Sequence, residues 1–377
     1  MSTSRTPPTT GPVLPRSVVI LVAFAAAALV VTGMRGLSDI IGPAFLALVL
    51  AIGTQPIRVG LTRRGLPAWV GVVASLLTIY AGLVVFTVSM VVAVGQFATL
   101  LPSYQGQMEQ LVQRGVDWLS GQGVGQDQID RLTGEFDLGR VVSVAGNLVS
   151  ELVAAASSLF LVVTLVLFMV VDASRFSDRL RRLPAGHDDW VAALTSFGSA
   201  TRRYIVVSTV FGLIVAVLDT VALMWMGVPI ALLWGLLAFI TNYIPNIGFV
   251  LGVVPPAVIG LFEGGVPMMV GVLVVYSVLN VVVQTIIQPK IVGDAVGLST
   301  TLTMLSLVFW ALTLGTMGAL LAVPLTLFVK ALLVDADPRS RWLNPLLTGE
   351  HPFREKGARR VRRPPRAPAA RPPAEAR

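Results

Sequence analysis

The stretch "NYIPNIGFVLGVVPP", residues 242–256, holds three prolines, two glycines and two asparagines, with apolar sequence on both sides. Proline lacks a backbone donor and clashes with the preceding turn, so a helix running through this stretch must break. At membrane depth, freed backbone groups are tolerated only where protein or a water-filled cavity receives them. The stretch therefore reads as the turn of a helical hairpin whose halves are 229–244 and 247–262. Each half rises about 24 Å, short of a hydrocarbon core about 30 Å thick.

The same pattern recurs downstream, where 300–314 and 319–334 flank "GTMG". Between and before the hairpins lie longer apolar runs at 17–34, 37–54, 67–95, 151–171, 204–226 and 266–287. Runs of about 18 residues or more suffice to span as helices. The expected fold is all-α: a polytopic helical membrane protein of about eight transmembrane elements, with two broken hairpins in inverted orientation. The first apolar run follows a basic leader, 1–16, and continues past any small-residue cleavage pattern, so it reads as a retained span.

Arginines orient the chain. Arg58, Arg63 and Arg64 follow the second span, and six arginines lie between Asp172 and Arg203. The positive-inside rule places both loops, including 172–203, in the cytoplasm. The spans within 17–95 then leave 96–150 outside. That segment carries six acidic residues against three arginines, and "MEQLVQRGVDWL" has the spacing of an amphipathic helix. Within the core, 151–334, the hairpin 229–262 opens outward and the hairpin 300–334 inward. Short, Gly- or Pro-broken segments at matching places of inverted halves mark a transporter's binding region. Gly248, Gly252 and Pro255 have an echo, offset by one residue, in Gly318, Ala322 and Pro324.

Composition excludes other classes. The chain of 377 residues is 55% hydrophobic and 13% charged, and its mean hydropathy is +0.80, far from a water-soluble domain. The net charge of +8 belongs mostly to the tail 335–377: residues 351–377 hold nine Arg or Lys against two Glu. Rich in Pro and Arg, that tail reads as disordered, cytoplasmic and drawn to anionic lipid, with no nucleic-acid partner. There is no cysteine, no phosphate-binding loop and no metal-ligating cluster. The chain is thus expected to be no enzyme and to carry no cofactor and no metal. Its energy source would be an ion gradient or the substrate's own gradient.

The candidate site residues are polar groups in apolar surroundings. Asp219 lies in "LIVAVLDTVALMW", and an ionisable group at membrane depth is costly enough to mark it for ion coupling. The alternative is an acid near the interface or bonded within the bundle. Asn280, Gln284 and Gln288 recur every four residues and lead into Pro289; they line a path or bond helix to helix. Asn242 and Asn246 flank Pro245, where they meet substrate or satisfy the freed backbone. Gly248 with Gly252 and Gly318 with Ala322 are small-xxx-small pairs suited to close packing, beside Pro324.

The segments "GVPIALLWGLLAFITNYIPNIGFVLGVVPPAVIGL" (227–261) and "QPKIVGDAVGLSTTLTMLSLVFWALTLGTMGALLAVPLTLFVKALL" (288–333) resemble the carboxy-terminal signature of the AI-2E family of transporters, the PerM-like permeases. The resemblance runs over roughly 17–335. It implies a multi-pass protein of the bacterial inner membrane, both termini cytoplasmic, forming homo-oligomers with a pentamer as one form. It further implies export of a small polar solute such as an autoinducer-2-like signal, or sodium (lithium)/proton antiport. A third expectation is a non-transporting scaffold that binds a partner through 96–150.

Overall fold

The computed structural model describes residues 15–122, 161–173, 176, 179, 180, 182, 184, 186–244, 248–288 and 297–348. They form helices, with no strand among the described residues. The order begins with α1 (Arg16–Gly36), α2 (Ser38–Gly53), α3 (Gln55–Arg63) and α4 (Ala68–Leu100). A 3-10 turn at Leu101–Tyr104 leads into α5 (Gln105–Gly121), and α6 (Leu161–Ala173) follows after a gap in the description. The remainder is α7 (Asp188–Met226), α8 (Ala231–Thr241), α9 (Gly248–Asn280), α10 (Thr300–Leu320) and α11 (Ala322–Lys330). Among the described residues five stretches are long and apolar enough to cross a membrane, and three shorter apolar helices accompany them. The chain has the architecture of a polytopic helical membrane protein.

The leader up to residue 14, the stretch 123–150, the first ten residues of the 151–171 span and the tail beyond 348 lie outside the described residues.

α7 departs from expectation. The sequence suggested a loop over 172–203 and a span from 204, yet one helix of 39 residues covers the span and the loop from Asp188 onward, about 58 Å at 1.5 Å per residue. Asp188 and Asp189 stand in its first turn, where negative charge suits the helix dipole. No proline interrupts it. The buried stripe is Ala193, Phe197, Thr201 and Tyr204, and Trp190 faces outward.

The chain breaks near the expected places. Hairpin 1 consists of α8 and the first arm of α9, 248–264. Gly265, at φ 69° and ψ −163°, ends that arm, and a second arm, 266–280, continues into a π-helical turn, Val281–Ile287. Pro255 and Pro256 stand inside the first arm, Pro256 buried. In hairpin 2 the break falls at Gly315, with φ 65° and ψ −146°, one residue after the expected first arm. Both conformations are ones that only glycine takes without strain. A second turn at Leu321 then starts α11. Pro324 is buried in the first turn of α11, where its missing N–H costs nothing.

The three larger apolar clusters among the described residues hold the assembly together. One gathers hairpin 1 around Trp234, Val253, Ile259 and Tyr276 with Leu223 of α7. A second joins Phe45 and Val49 of α2, Phe197 and Tyr204 of α7, and Leu314, Leu321 and Leu325 of hairpin 2. The third packs Ala47 and Ala51 against Ile79 of α4 and Val162, Val166 and Val170 of α6. Close approach relies on missing side chains. A Cβ on Gly235 would meet Thr220 Oγ1 of α7 at 1.8 Å, and one on Gly318 would meet the Trp310 carbonyl oxygen at 1.9 Å. The small residues thus press hairpin 1 onto α7 and fold hairpin 2 on itself.

At the opposite surface from the arginine-rich loops, Tyr104 donates a hydrogen bond to Glu263 and stacks on Phe262, with ring centroids 5.6 Å apart. This ties the end of α4 to the far end of hairpin 1. Burial, then the bond to Glu263, pushes the Tyr104 phenol above its usual value. Near the arginine side, Lys330 Nζ donates to both carboxylate oxygens of Asp335 at 2.9 and 3.0 Å, and Arg341 bonds Asp189 at the start of α7.

Candidate translocation site

The tip of hairpin 1 rests against α7. Asn242 Nδ2 donates to the Ser208 carbonyl at 3.0 Å, and Tyr204 Oη donates to the Tyr243 carbonyl at 2.7 Å. Thr209 Oγ1 gives its proton to the Ile205 carbonyl, so the 2.7 Å contact with Tyr243 Oη is donated by the tyrosine. Gly212 makes room, since a Cβ there would sit 2.6 Å from Asn242 Nδ2. The end of α8 at Thr241 thus leaves polar groups of Asn242 and Tyr243 that α7 receives, as the absence of water demands.

The second arm of α9 supplies the next layer. Asn280 Nδ2 donates to the Tyr276 carbonyl at 2.9 Å. Backbone carbonyls only accept, so both asparagines must present Oδ1 on the other side, and Gln284 Nε2 donates to each: 2.9 Å to Asn242 and 2.5 Å to Asn280. Three carboxamides thereby close a small network in which every amide nitrogen is engaged. The network joins the tip of hairpin 1 to the helix carrying Asn280 and Gln284.

Above this network lies a cavity of about 10 Å³, room for about one water molecule. Its wall includes Val215 and Asp219 of α7, Ala238, Thr241 and Asn242 from hairpin 1's first arm and tip, Gly248, Phe249 and Gly252 from its second, and Tyr276, Asn280 and Gln284. Asp219 is 0% exposed, and both carboxylate oxygens lack a hydrogen-bond partner. Tyr276 is 1% exposed, and its hydroxyl is likewise unpartnered. Among the described residues, no Lys, Arg or His lines the cavity. Since an uncompensated buried charge costs far more than a buried hydroxyl, the Asp219 carboxyl is the costliest unpartnered group on this wall.

Six residues singled out from the sequence, Asp219, Asn242, Gly248, Gly252, Asn280 and Gln284, meet on this one wall. Gln288 does not. The π-helical turn between Asn280 and Gln288 is wider than an α turn and interrupts the four-residue repeat after Gln284. Gly318, Ala322 and Pro324 belong to the interior of hairpin 2, away from the cavity. Pro245, Asn246 and Pro289 lie outside the described residues. Tyr276 and Thr241 were missed by the sequence reading. The signal for Tyr276 was present, four residues before Asn280 on the same stripe; Thr241, a lone hydroxyl beside the break, left none.

Residues 18–336 match the family described as AI-2E family transporter. The chain belongs to the AI-2E family of transporters. It is 32% identical over 319 residues to the AI-2 transport protein TqsA of Escherichia coli (strain K12), covering 82% of this chain and 90% of that one. It is 28% identical over 311 residues to the putative transport protein YhhT of the same organism, covering 82% and 89%. A putative transport protein of Haemophilus influenzae is 29% identical over 339 residues, covering 85% and 94%. As an AI-2E family transporter with these apolar helices, the chain is a multi-pass membrane protein with a permease role.

Proposed function

We propose that this chain is a secondary transporter that carries a small polar solute out through the bacterial inner membrane, both termini cytoplasmic, along a path between hairpin 1 and the helix bearing Asn280 and Gln284. The observation that carries the reading is the cavity at the broken tip of hairpin 1. There Asp219, Asn242, Asn280 and Gln284 converge within otherwise apolar helices. The name of the relative TqsA makes an autoinducer-2-like solute the first to test.

A cavity of about 10 Å³ cannot pass an organic solute, so passage requires a packed element to move. Hairpin 1 is suited to that. Gly227 at φ 75° and Ile230 at φ 52° precede it, and Gly265 at φ 69° follows it. A β-branched residue with positive φ is strained, and such strain collects where a chain changes conformation. At its tip the hairpin is held to α7 by side-chain hydrogen bonds that can break and reform. Opening there would expose the carboxamides to one side of the membrane and then the other.

The test is solute flux in proteoliposomes carrying the purified protein, with autoinducer-2, related polyols and alkali cations as the panel. Gln284→Leu and Asp219→Asn should lower flux while leaving the amount of inserted protein unchanged. Wild-type flux equal to that of empty liposomes would defeat the transport reading. Full flux from both variants would remove the path from this cavity.

A further inference from the structure

We infer that the place where α3, α4 and α6 meet is a binding site for the phosphodiester headgroup of an anionic phospholipid, with Arg58 as its cationic centre. The inference goes beyond the transport reading and stands or falls independently of it.

Position comes first. Arg58 of α3 backs onto the first turn of α4: a Cβ on Gly71 would lie 3.1 Å from the Arg58 Cα and 3.4 Å from its carbonyl oxygen, so the missing side chain lets the two helices close up. The guanidinium reaches α6, where Nη1 donates to the Val170 carbonyl at 3.1 Å, in the last turn of that helix. Since the apolar helix α4 begins and α6 ends at this level, Arg58 stands at the edge of the apolar layer. Trp69, in the same first turn of α4, is exposed, as befits an aromatic residue at a membrane interface.

Charge comes next. A guanidinium keeps its proton even when covered. Arg58 is half-buried. Its Nε is covered and has no hydrogen-bond partner, and Nη1 is spent on Val170, which leaves Nη2 as the donor open to the surface. The end of a helix carries about half an elementary negative charge, so α6 offsets only part of the cation. Among the described residues no carboxylate pairs with Arg58, Arg63 or Arg64, and Asp172 at the end of α6 lies 3.5 Å from Arg179. Arg63 and Arg64, both exposed, close the same short helix. A half-buried cation short of a counter-ion, with two more arginines after it, calls for an anion with charge-assisted acceptors.

The surroundings decide which anion. Within one helical turn of Gly71 and Val170, Trp69 and Val73 of α4 and Leu167 and Phe168 of α6 leave apolar side chains exposed. A soluble phosphate gains nothing from them, whereas an acyl chain covers them, and a basic recess between membrane helices suits a lipid headgroup. Phosphatidylglycerol offers one uncompensated negative charge; the choline of phosphatidylcholine brings a positive charge that cancels it.

The experiment is thermal unfolding of the purified full-length protein in detergent, at constant pH and ionic strength, titrated with phosphatidylglycerol or with phosphatidylcholine of the same chains. A ligand that binds only the folded state raises the melting temperature in a saturable way, and phosphatidylglycerol should do so well beyond phosphatidylcholine. Arg58→Gln should remove the difference between the two lipids; a merely structural Arg58 would lower melting alike in both and leave the difference standing. Arg35→Gln, which removes the same charge from an exposed position at the end of α1, should leave the difference intact. Where Arg58→Gln does not fold, Arg58→Lys decides: it keeps the charge but loses the planar fork, and should raise the half-saturating phosphatidylglycerol concentration several-fold. Equal responses to the two lipids would overturn the inference, as would a difference that survives Arg58→Gln, that Arg35→Gln removes equally, or that Arg58→Lys leaves at the same half-saturation. Inorganic phosphate and glycerol phosphate, which lack acyl chains, should give no shift at the same concentrations; a shift from either would assign the site to a soluble anion and sink the lipid reading.

Discussion

Gly248→Ala puts the packing of hairpin 1 to a quantitative test. A Cβ at this position would lie 1.9 Å from the Thr241 carbonyl oxygen and 2.7 Å from its carbon. A relaxed contact needs about 3.5 Å, and the obstacle is backbone, which cannot swing aside as a side chain would. The two arms must therefore separate along a seam where Gly252 is also close, its Cβ position 3.1 Å from Thr241 Oγ1. Overpacking of this kind costs about 1–3 kcal/mol. Gly248 is the first residue of α9, where the interior helix propensity of alanine returns little, so the net loss stays about 1–3 kcal/mol. Gly82→Ala is the control, because nothing lies within 4 Å of its Cβ position on α4; it should be neutral or stabilising by up to about 1 kcal/mol. Thermal unfolding of the two variants in the same detergent reads both numbers. Gly248→Ala melting with the wild type, or moving in the same direction as Gly82→Ala, would refute the close approach at the hairpin tip.

Gln284→Leu removes the donor shared by Asn242 and Asn280 and leaves two acceptors unmet, so it should destabilise by about 1–3 kcal/mol; Gln284→Glu, an acceptor where a donor is needed, should be worse than Leu in the same melt. Asp335→Asn weakens the paired bonds from a largely covered Lys330 and should cost about 1–3 kcal/mol, with the double change Lys330→Met and Asp335→Asn costing less than the sum of the singles. For Tyr104 the sign follows from its raised ionisation: the folded form holds the phenol proton more tightly, so its contribution is complete below the ordinary phenol value of about 10 and fades as pH rises beyond it. Tyr104→Phe should therefore lower stability at neutral pH and flatten the alkaline limb of the stability profile, which a pH series of unfolding curves measures; an unchanged limb would place the alkaline loss elsewhere.

Much of the candidate site was legible because membrane helices make polar residues conspicuous. Asp219, Asn280 and Gln284 stand out in runs of Val, Leu and Ile, and Asn242 and Gly248 sit at a proline-marked break. Gln288 illustrates the limit: the four-residue spacing is sound for an α-helix, but the π-helical turn at Val281–Ile287 has no signature in side-chain pattern and disrupts the register after Gln284. The helix start expected at residue 204 lies earlier, at Asp188, for a related reason. A basic segment of mixed polarity reads as a connection, yet Ala193, Phe197, Thr201 and Tyr204 pack against other elements and carry the helix on.

Composition, the length of apolar runs and the Gly and Pro breakers alone decide that this chain is a bundle of membrane helices with two broken hairpins, since hydrocarbon leaves the backbone few other ways to bond. Which polar groups meet was settled only by the fold. Asp219 and Tyr276 lie 57 positions apart in the chain, and no local rule pairs them. Their cavity exists because Gly235 lets hairpin 1 lie on α7, the tip is received by Ser208, Thr209 and Tyr204, and Gly265 turns the chain back to bring Tyr276, Asn280 and Gln284 alongside. Local sequence sets where a helix must break; the packing of distant segments sets what the break is for.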